Sequence, residues 1–183
     1  VIVYDYSVLA GTQGFFHHAK LDRVLDIARR QSLPVVMFTE GGGGRPGDTD
    51  VRTQIAGLNV STFASWAALN TGRPRIAVNN GYCFAGNAAL FGAADLRIAT
   101  RSSSIGMAGP AMIEGGGLGS YAPAEIGPAA VQERNGVIDL LVEDEAAATV
   151  AARRLLWYFQ GPGAPGAAAD QRAPRDLLPR DRR

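Results

Sequence analysis

Val35-Val36-Met37-Phe38-Thr39-Glu40-Gly41-Gly42-Gly43-Gly44-Arg45-Pro46-Gly47-Asp48 is the stretch on which the fold turns. Four consecutive apolar residues suit a strand covered on both faces, as in a parallel sheet. The glycines that follow strip the backbone of side chains, so a ligand could touch main-chain N–H groups there. Upstream, residues 16–31 carry Leu21, Val24, Leu25 and Ala28 at helical spacing, with Arg29 and Arg30 suited to the helix C-terminus. Residues 1–9 read as a first strand, ended by Gly11-Thr12-Gln13-Gly14. Downstream, the pattern predicts a helix over 62–70, with Phe63, Trp66 and Ala67 on one side. A strand follows over 75–78, then a loop over 80–84, a small-residue helix over 85–93 and a strand over 95–99. Residues 102–136 read as irregular, with one short helix near 123–126. A strand over 137–142 precedes a last helix capped by Asp144, whose stripe is Ala148, Ala151, Ala152, Leu155, Leu156 and Phe159. Strands alternating with helices imply an α/β domain over residues 1–160. Residues 161–183, rich in Pro, Gly, Ala and Arg, read as a linker or the start of a second domain, with Leu177 and Leu178 as its only anchor. No internal repeat is visible. The chain opens inside a strand, so it is expected to be a piece of something longer.

Composition narrows the function. The chain has 183 residues, 46% of them apolar, which is enough for a packed core without metal or disulfide staples. Eighteen basic residues against seventeen acidic ones lack the broad positive footprint of a nucleic-acid binder. No apolar run approaches the roughly 20 residues of a membrane helix. A single cysteine, Cys83, excludes an internal disulfide and any multi-cysteine zinc site. Glycine stands out at 23 residues.

Catalytic side chains are scarce. Gly42 to Gly47 has the spacing of a phosphate-binding loop, but Asp48 stands where that loop needs lysine, so the reading fails on charge. Residues 117–122 spell a dinucleotide fingerprint with no strand before it, a chance match. His17 and His18 are adjacent, so on a helix they diverge by about 100° and chelate one metal poorly. They read as a solvated helix start. Ser102, Ser103 and Ser104 lack the nucleophile-elbow pattern. Cys83 reads either as a thiol activated by a helix start or as a small buried apolar residue. Backbone donors remain. Residues 41–47 and 80–88 both follow strands and are poor in side chains, and the second opens a helix, where N–H groups are unpaired. Either the glycines only permit turns, or the two corners meet and form an oxyanion hole. The chemistry would then be one that charges a carbonyl oxygen: acyl transfer or enolate formation beside a thioester.

Several runs, in order, resemble the carboxyltransferase of biotin-dependent acyl-CoA carboxylases. They are residues 40–48, 81–90 and 105–116, then Glu125-Ile126-Gly127-Pro128, Asn135-Gly136-Val137-Ile138-Asp139 and Glu143-Asp144-Glu145-Ala146. The resemblance implies a crotonase-like α/β spiral of ββα units, of which this is the first, acyl-CoA-binding domain. The partners implied are a short-chain acyl-CoA, a biotin carrier and biotin carboxylase subunit, and further copies in a homo-oligomer. Carboxybiotin would be held by a second domain, and the location would be cytoplasmic. Carried over residue by residue, one oxyanion donor is Gly43 or Gly44 and the other Ala85 or Gly86. Arg45, Gly109, Pro110, Gly115 and Gly116 would line the substrate, and Lys20, with Arg23 behind it, could meet the CoA phosphates. No metal is implied. The loop departs from the commoner Ser-Gly-Gly-Ala-Arg-Ile-Gln-Glu form, which leaves acyl specificity open. Two other readings stand beside this one. The first is a biotin-independent crotonase-type hydratase, hydrolase or decarboxylase using Glu114 or Asp48. The second is a noncatalytic assembly domain.

Overall fold

A computed structural model describes residues 1–45, 60–69 and 72–161. Five parallel strands form the main sheet in the order β1 (Ile2–Val3), β2 (Val35–Phe38), β3 (Arg75–Asn79), β5 (Leu96–Thr100) and β7 (Leu140–Val142). Two more, β4 (Tyr82–Phe84) and β6 (Ser104–Gly106), pair in parallel as a second small layer. The two five-residue strands β3 and β5 each turn out of the main sheet into a short one and then into a helix. β3 and β4 lead to α3 (Gly86–Gly92), and β5 and β6 lead to α4 (Pro110–Gly115) and α5 (Ala129–Arg134). This is the ββα winding that the resemblance implies.

The apolar run at 35–38 is a strand buried on both faces, as its composition requires. Val35 and Met37 join a cluster with Leu21, Leu25 and Ala28 of α1 (Phe15–Arg30), Trp66 of α2 (Thr62–Ala67) and Leu90 of α3. Val36, one residue out of phase, lies with Ile76, Val78 and Ile98 against Ala148 and Ala152 of α6 (Glu145–Trp157). A third cluster, including Cys83, Ala99 and Ile105, fills the space between the sheet and the β4–β6 layer. Asp144 caps α6 as expected, its Oδ1 accepting the Ala147 N–H at 2.8 Å.

The structure corrects several expectations. The first strand is only two residues long, and a 3₁₀ turn covers Leu9–Gly11. Val24 lies outside the core stripe of α1, and His18 takes that place, 6% exposed. The segment expected as a loop over 80–84 contains β4. Residues 102–136 hold β6, α4, α5 and a 3₁₀ turn at Pro123–Glu125. Phe159 falls beyond the end of α6 and is 43% exposed. Asp48, Asn70, Leu177 and Leu178 lie outside the described residues.

A structural repeat exists where the sequence shows none. Arg75, at the start of β3, gives its N–H and guanidinium to Asp95, just before β5. Arg97, in β5, gives the same three bonds to Asp139, just before β7. In both pairs the aspartate N–H returns a bond to the arginine carbonyl. The arginine forks hold both carboxyls below the usual range. Arg75 additionally donates to the Trp66 and Ala67 carbonyls at the end of α2. Arg75→Met is therefore expected to lower unfolding stability by about 2 kcal/mol. Arg101→Met breaks a pair whose side chains are both more than 60% exposed, and should leave the unfolding midpoint near that of the parent. Urea denaturation of both variants checks the contrast.

Candidate active site

The glycine loop is held on both edges by backbone hydrogen bonds. On one edge Gly41 pairs in parallel with Cys83, its N–H donating to the Tyr82 carbonyl and its carbonyl accepting from Phe84, each at 2.8 Å. On the other, Gly44 pairs with Gln13, whose N–H donates to the Gly43 carbonyl at 2.7 Å and whose carbonyl accepts from Arg45 at 2.8 Å. The loop thus runs as a short extra strand beside β4. Gly43 has φ +89°, and a Cβ there would lie 2.6 Å from the Ala85 Cβ and 3.4 Å from the Gly86 nitrogen. Only glycine satisfies both the torsion and the approach. The two corners meet.

The second corner is strained. Ala85, the residue before α3, has φ +50° and ψ −117°, a region costing a side-chain-bearing residue on the order of 1–3 kcal/mol. Its N–H donates to the Gly106 carbonyl at 2.9 Å, which holds the turn in place.

These bonds sort the four candidate donors. The Gly43 N–H already donates to Asn87 Oδ1 at 3.0 Å, and the Ala85 N–H is spent on Gly106. Among the described residues, the N–H groups of Gly44 and Gly86 have no hydrogen-bond partner. Gly86 is the first residue of α3, where the helix leaves its N–H unpaired. The planar trans peptide between Gly43 and Gly44 fixes the direction of the other donor. With its carbonyl turned to Gln13, its N–H points the opposite way.

The expected substrate-lining residues divide into three groups. Arg45 is braced to the segment before α1, donating to the Thr12 carbonyl and hydroxyl. Gly109 and Pro110 begin α4 beside Phe84, with a Gly109 Cβ site 3.5 Å from that ring. Gly115 and Gly116 sit at the far end of α4, exposed, and are not brought to the corner. Lys20 is exposed on α1, and Glu114 is exposed on α4. Cys83 faces the core, fully buried, its thiol pushed up to about 12 by burial, so it is no nucleophile.

Sequence reading missed Gln13, Asn87 and the histidines' surroundings. Gln13 is 3% exposed, and besides its backbone bridge its Nε2 donates to the Tyr4 hydroxyl at 3.3 Å. His18 is not a solvated helix start. Its Nδ1 donates to Thr62 Oγ1 at 2.9 Å, and that hydroxyl donates to Asp22 Oδ1 at 2.5 Å. His17 is half-buried against the Tyr4 ring, with ring centroids 4.5 Å apart. Burial first, then the positive charges of His18, Arg45 and Lys20, depress its pKa to about 4.

The ββα winding around a parallel sheet is the crotonase-like fold. The chain belongs to the carboxyl transferase domain family, whose model matches residues 1–181. Among solved structures it is similar to a single-chain, multi-domain long-chain acyl-CoA carboxylase, at 57% identity and TM-score 0.82 over 97% of this chain and 17% of that one. It is also similar to the transcarboxylase 12S core with hydrolysed methylmalonyl-coenzyme A bound, at 25% identity and TM-score 0.68, over 83% of this chain and 29% of that one. The P. aeruginosa geranyl-CoA carboxylase beta subunit matches at 25% identity and TM-score 0.71, over 89% of this chain and 31% of its own. The chain thus spans less than a third of each of these three. No curated protein matches it. Among the described residues, no helix is long and apolar enough to cross a membrane.

His17 has a lower pKa folded than the ordinary histidine value of 6.5, so between pH 6.5 and about 4 the unfolded chain binds more protons. Its contribution is present above pH 6.5 and lost as the pH falls through that window. His18, also lowered by burial, acts in the same direction. His17→Gln should make stability fall less steeply between pH 7 and pH 4.5. Parallel curves for both proteins in chemical denaturation would contradict this.

Proposed function

We propose that this chain holds an acyl-CoA while its α-carbon is carboxylated, with the thioester oxygen accepting hydrogen bonds from the Gly44 and Gly86 N–H groups. The observation that carries the reading is the meeting of two backbone corners at which the Gly43 and Ala85 N–H groups are spent and the Gly44 and Gly86 N–H groups are not. When the α-proton leaves, negative charge moves onto the thioester oxygen. Two fixed amide dipoles aimed at that oxygen favour the enolate over the ground state without reorganising. When the α-carbon then bonds to carbon dioxide, the charge leaves the oxygen and the carbonyl re-forms. Carboxybiotin on a separate carrier would supply the carboxyl group and the base, and no residue of this chain is assigned to it.

Gly109 and Pro110, beside Phe84, suit the acyl and pantetheine path, with Gly115 and Gly116 further out along α4. Lys20 and Arg45, the cations that press on His17, suit the CoA phosphates. The family resemblance implies a short-chain acyl-CoA. Similarity to a long-chain acyl-CoA carboxylase at 57% identity favours a longer acyl chain. Met107, Met112, Leu118 and Tyr121 are all 48% or more exposed around α4, an apolar surface suited to a second domain or another copy. The unit is read as the first carboxyltransferase domain of a homo-oligomeric acyl-CoA carboxylase, working with a biotin carrier and biotin carboxylase.

Gly44 separates the donor from the space around it, because a Cβ there meets nothing within 4 Å. In the assembled carboxylase, Gly44→Pro removes the N–H and is expected to lower kcat for carboxyl transfer about 10²- to 10³-fold. Gly44→Ala keeps the N–H and should stay within about threefold of the parent, since its Cβ enters open space. Equal turnover in the two variants would overturn the assignment.

A further inference from the structure

We infer that Asn87 is the positioning residue that sets the separation of the two oxyanion donors; the inference rests on the assignment of Gly44 and Gly86 just given. Asn87 is the second residue of α3, directly after one proposed donor, and its side chain reaches across to the loop carrying the other. Its Oδ1 accepts the Gly43 N–H at 3.0 Å, and its Nδ2 donates to the Glu40 carbonyl at 3.3 Å. One planar amide therefore grips the loop at two points three residues apart, one on each side of Gly41-Gly42. Asn87 is fully buried, so its side-chain amide is withdrawn from solvent. Glu40 is fixed in turn, since its carboxylate accepts the Asn80 N–H at 2.5 Å, just before β4.

The loop is shaped to receive this side chain. A Cβ at Gly41 would strike Asn87 Nδ2 and sit 2.7 Å from its Cγ. Gly41 must therefore lack a side chain for the Asn87 amide to lie where it does. With Asn87 holding the Gly43 N–H and Gln13 holding the Gly43 carbonyl, both peptide planes beside Gly43 are pinned. The direction of the Gly44 N–H follows from those two bonds. Removing Asn87 frees the plane nearest α3 and leaves the Gln13 bridge alone. The donor pair would then be present but loose. A displacement of about 1 Å in such a site costs on the order of 10² in rate.

The test uses the assembled carboxylase, with Asn87→Ala and the isosteric Asn87→Asp beside Gly44→Pro. Asn87→Ala is expected to lower kcat about tenfold to a hundredfold and to leave KM for acyl-CoA within about threefold, because the donors act mainly in the transition state. In Asn87→Asp the ionised carboxylate can accept from Gly43 but faces the Glu40 carbonyl without a proton to give. Protonated, it can accept and donate as the amide does. The ratio of its kcat to that of the parent should therefore rise as the pH is lowered. If Gly44→Pro loses turnover while Asn87→Ala keeps it, or the Asn87→Asp ratio is flat with pH, Asn87 does not set the donors. If Gly44→Pro keeps turnover, it is the donor assignment itself that fails. Should Asn87→Ala not fold, the pH dependence of Asn87→Asp decides alone.

Discussion

A chain segment without side chains has no packing of its own to hold it, yet the glycine loop must keep its N–H groups aimed within a few tenths of an ångström. Hydrogen bonds on both edges resolve this: Gly41 to β4 on one side, Gly43 and Arg45 to Gln13 on the other. Everything else in the site depends on that clamp. It lets Gly43 come within van der Waals distance of Ala85, and it commits the Gly43 N–H to Asn87 while leaving that of Gly44 without a partner among the described residues. The strain at Ala85 belongs to the same constraint. α3 must begin facing the loop, and the turn that achieves this is held by the bond from Ala85 to Gly106 in β6.

The small β4–β6 layer gives the clamp its rigidity. Gly41, Cys83 and Ile105 are adjacent rungs, so the loop is anchored to a sheet whose inner face is core. Burial of Cys83 is part of that anchoring and explains why its thiol is chemically silent. Burial first, with Arg45 and Lys20 adding to it, keeps His17 neutral.

Much of this was legible in the residues. The unbroken apolar run before the glycines fixed a two-faced strand, and the spacing of Leu21, Leu25 and Ala28 fixed α1, because burial acts directly on residue type. The two side-chain-poor corners were visible for the same reason. What stayed hidden depends on contacts distant in sequence. Asn87 and Gln13 act through bonds spanning 44 and 30 residues, and nothing local marks a buried amide as a clamp. β4 is too short to show alternation and follows Asn80-Gly81, which reads as a turn. The arginine–aspartate rungs repeat in space at unequal spacing, 20 and 42 residues, so no sequence period reveals them. Among the four donor candidates, sequence offered two pairs, and only the bonding of their neighbours separates them.

The most direct measurement is a structure of the assembled enzyme with an acyl-CoA bound. The account predicts one thioester oxygen within about 3 Å of both the Gly44 and the Gly86 nitrogens, in hydrogen-bonding geometry with each. A thioester oxygen bound elsewhere, or contacting only one of these nitrogens, would contradict it.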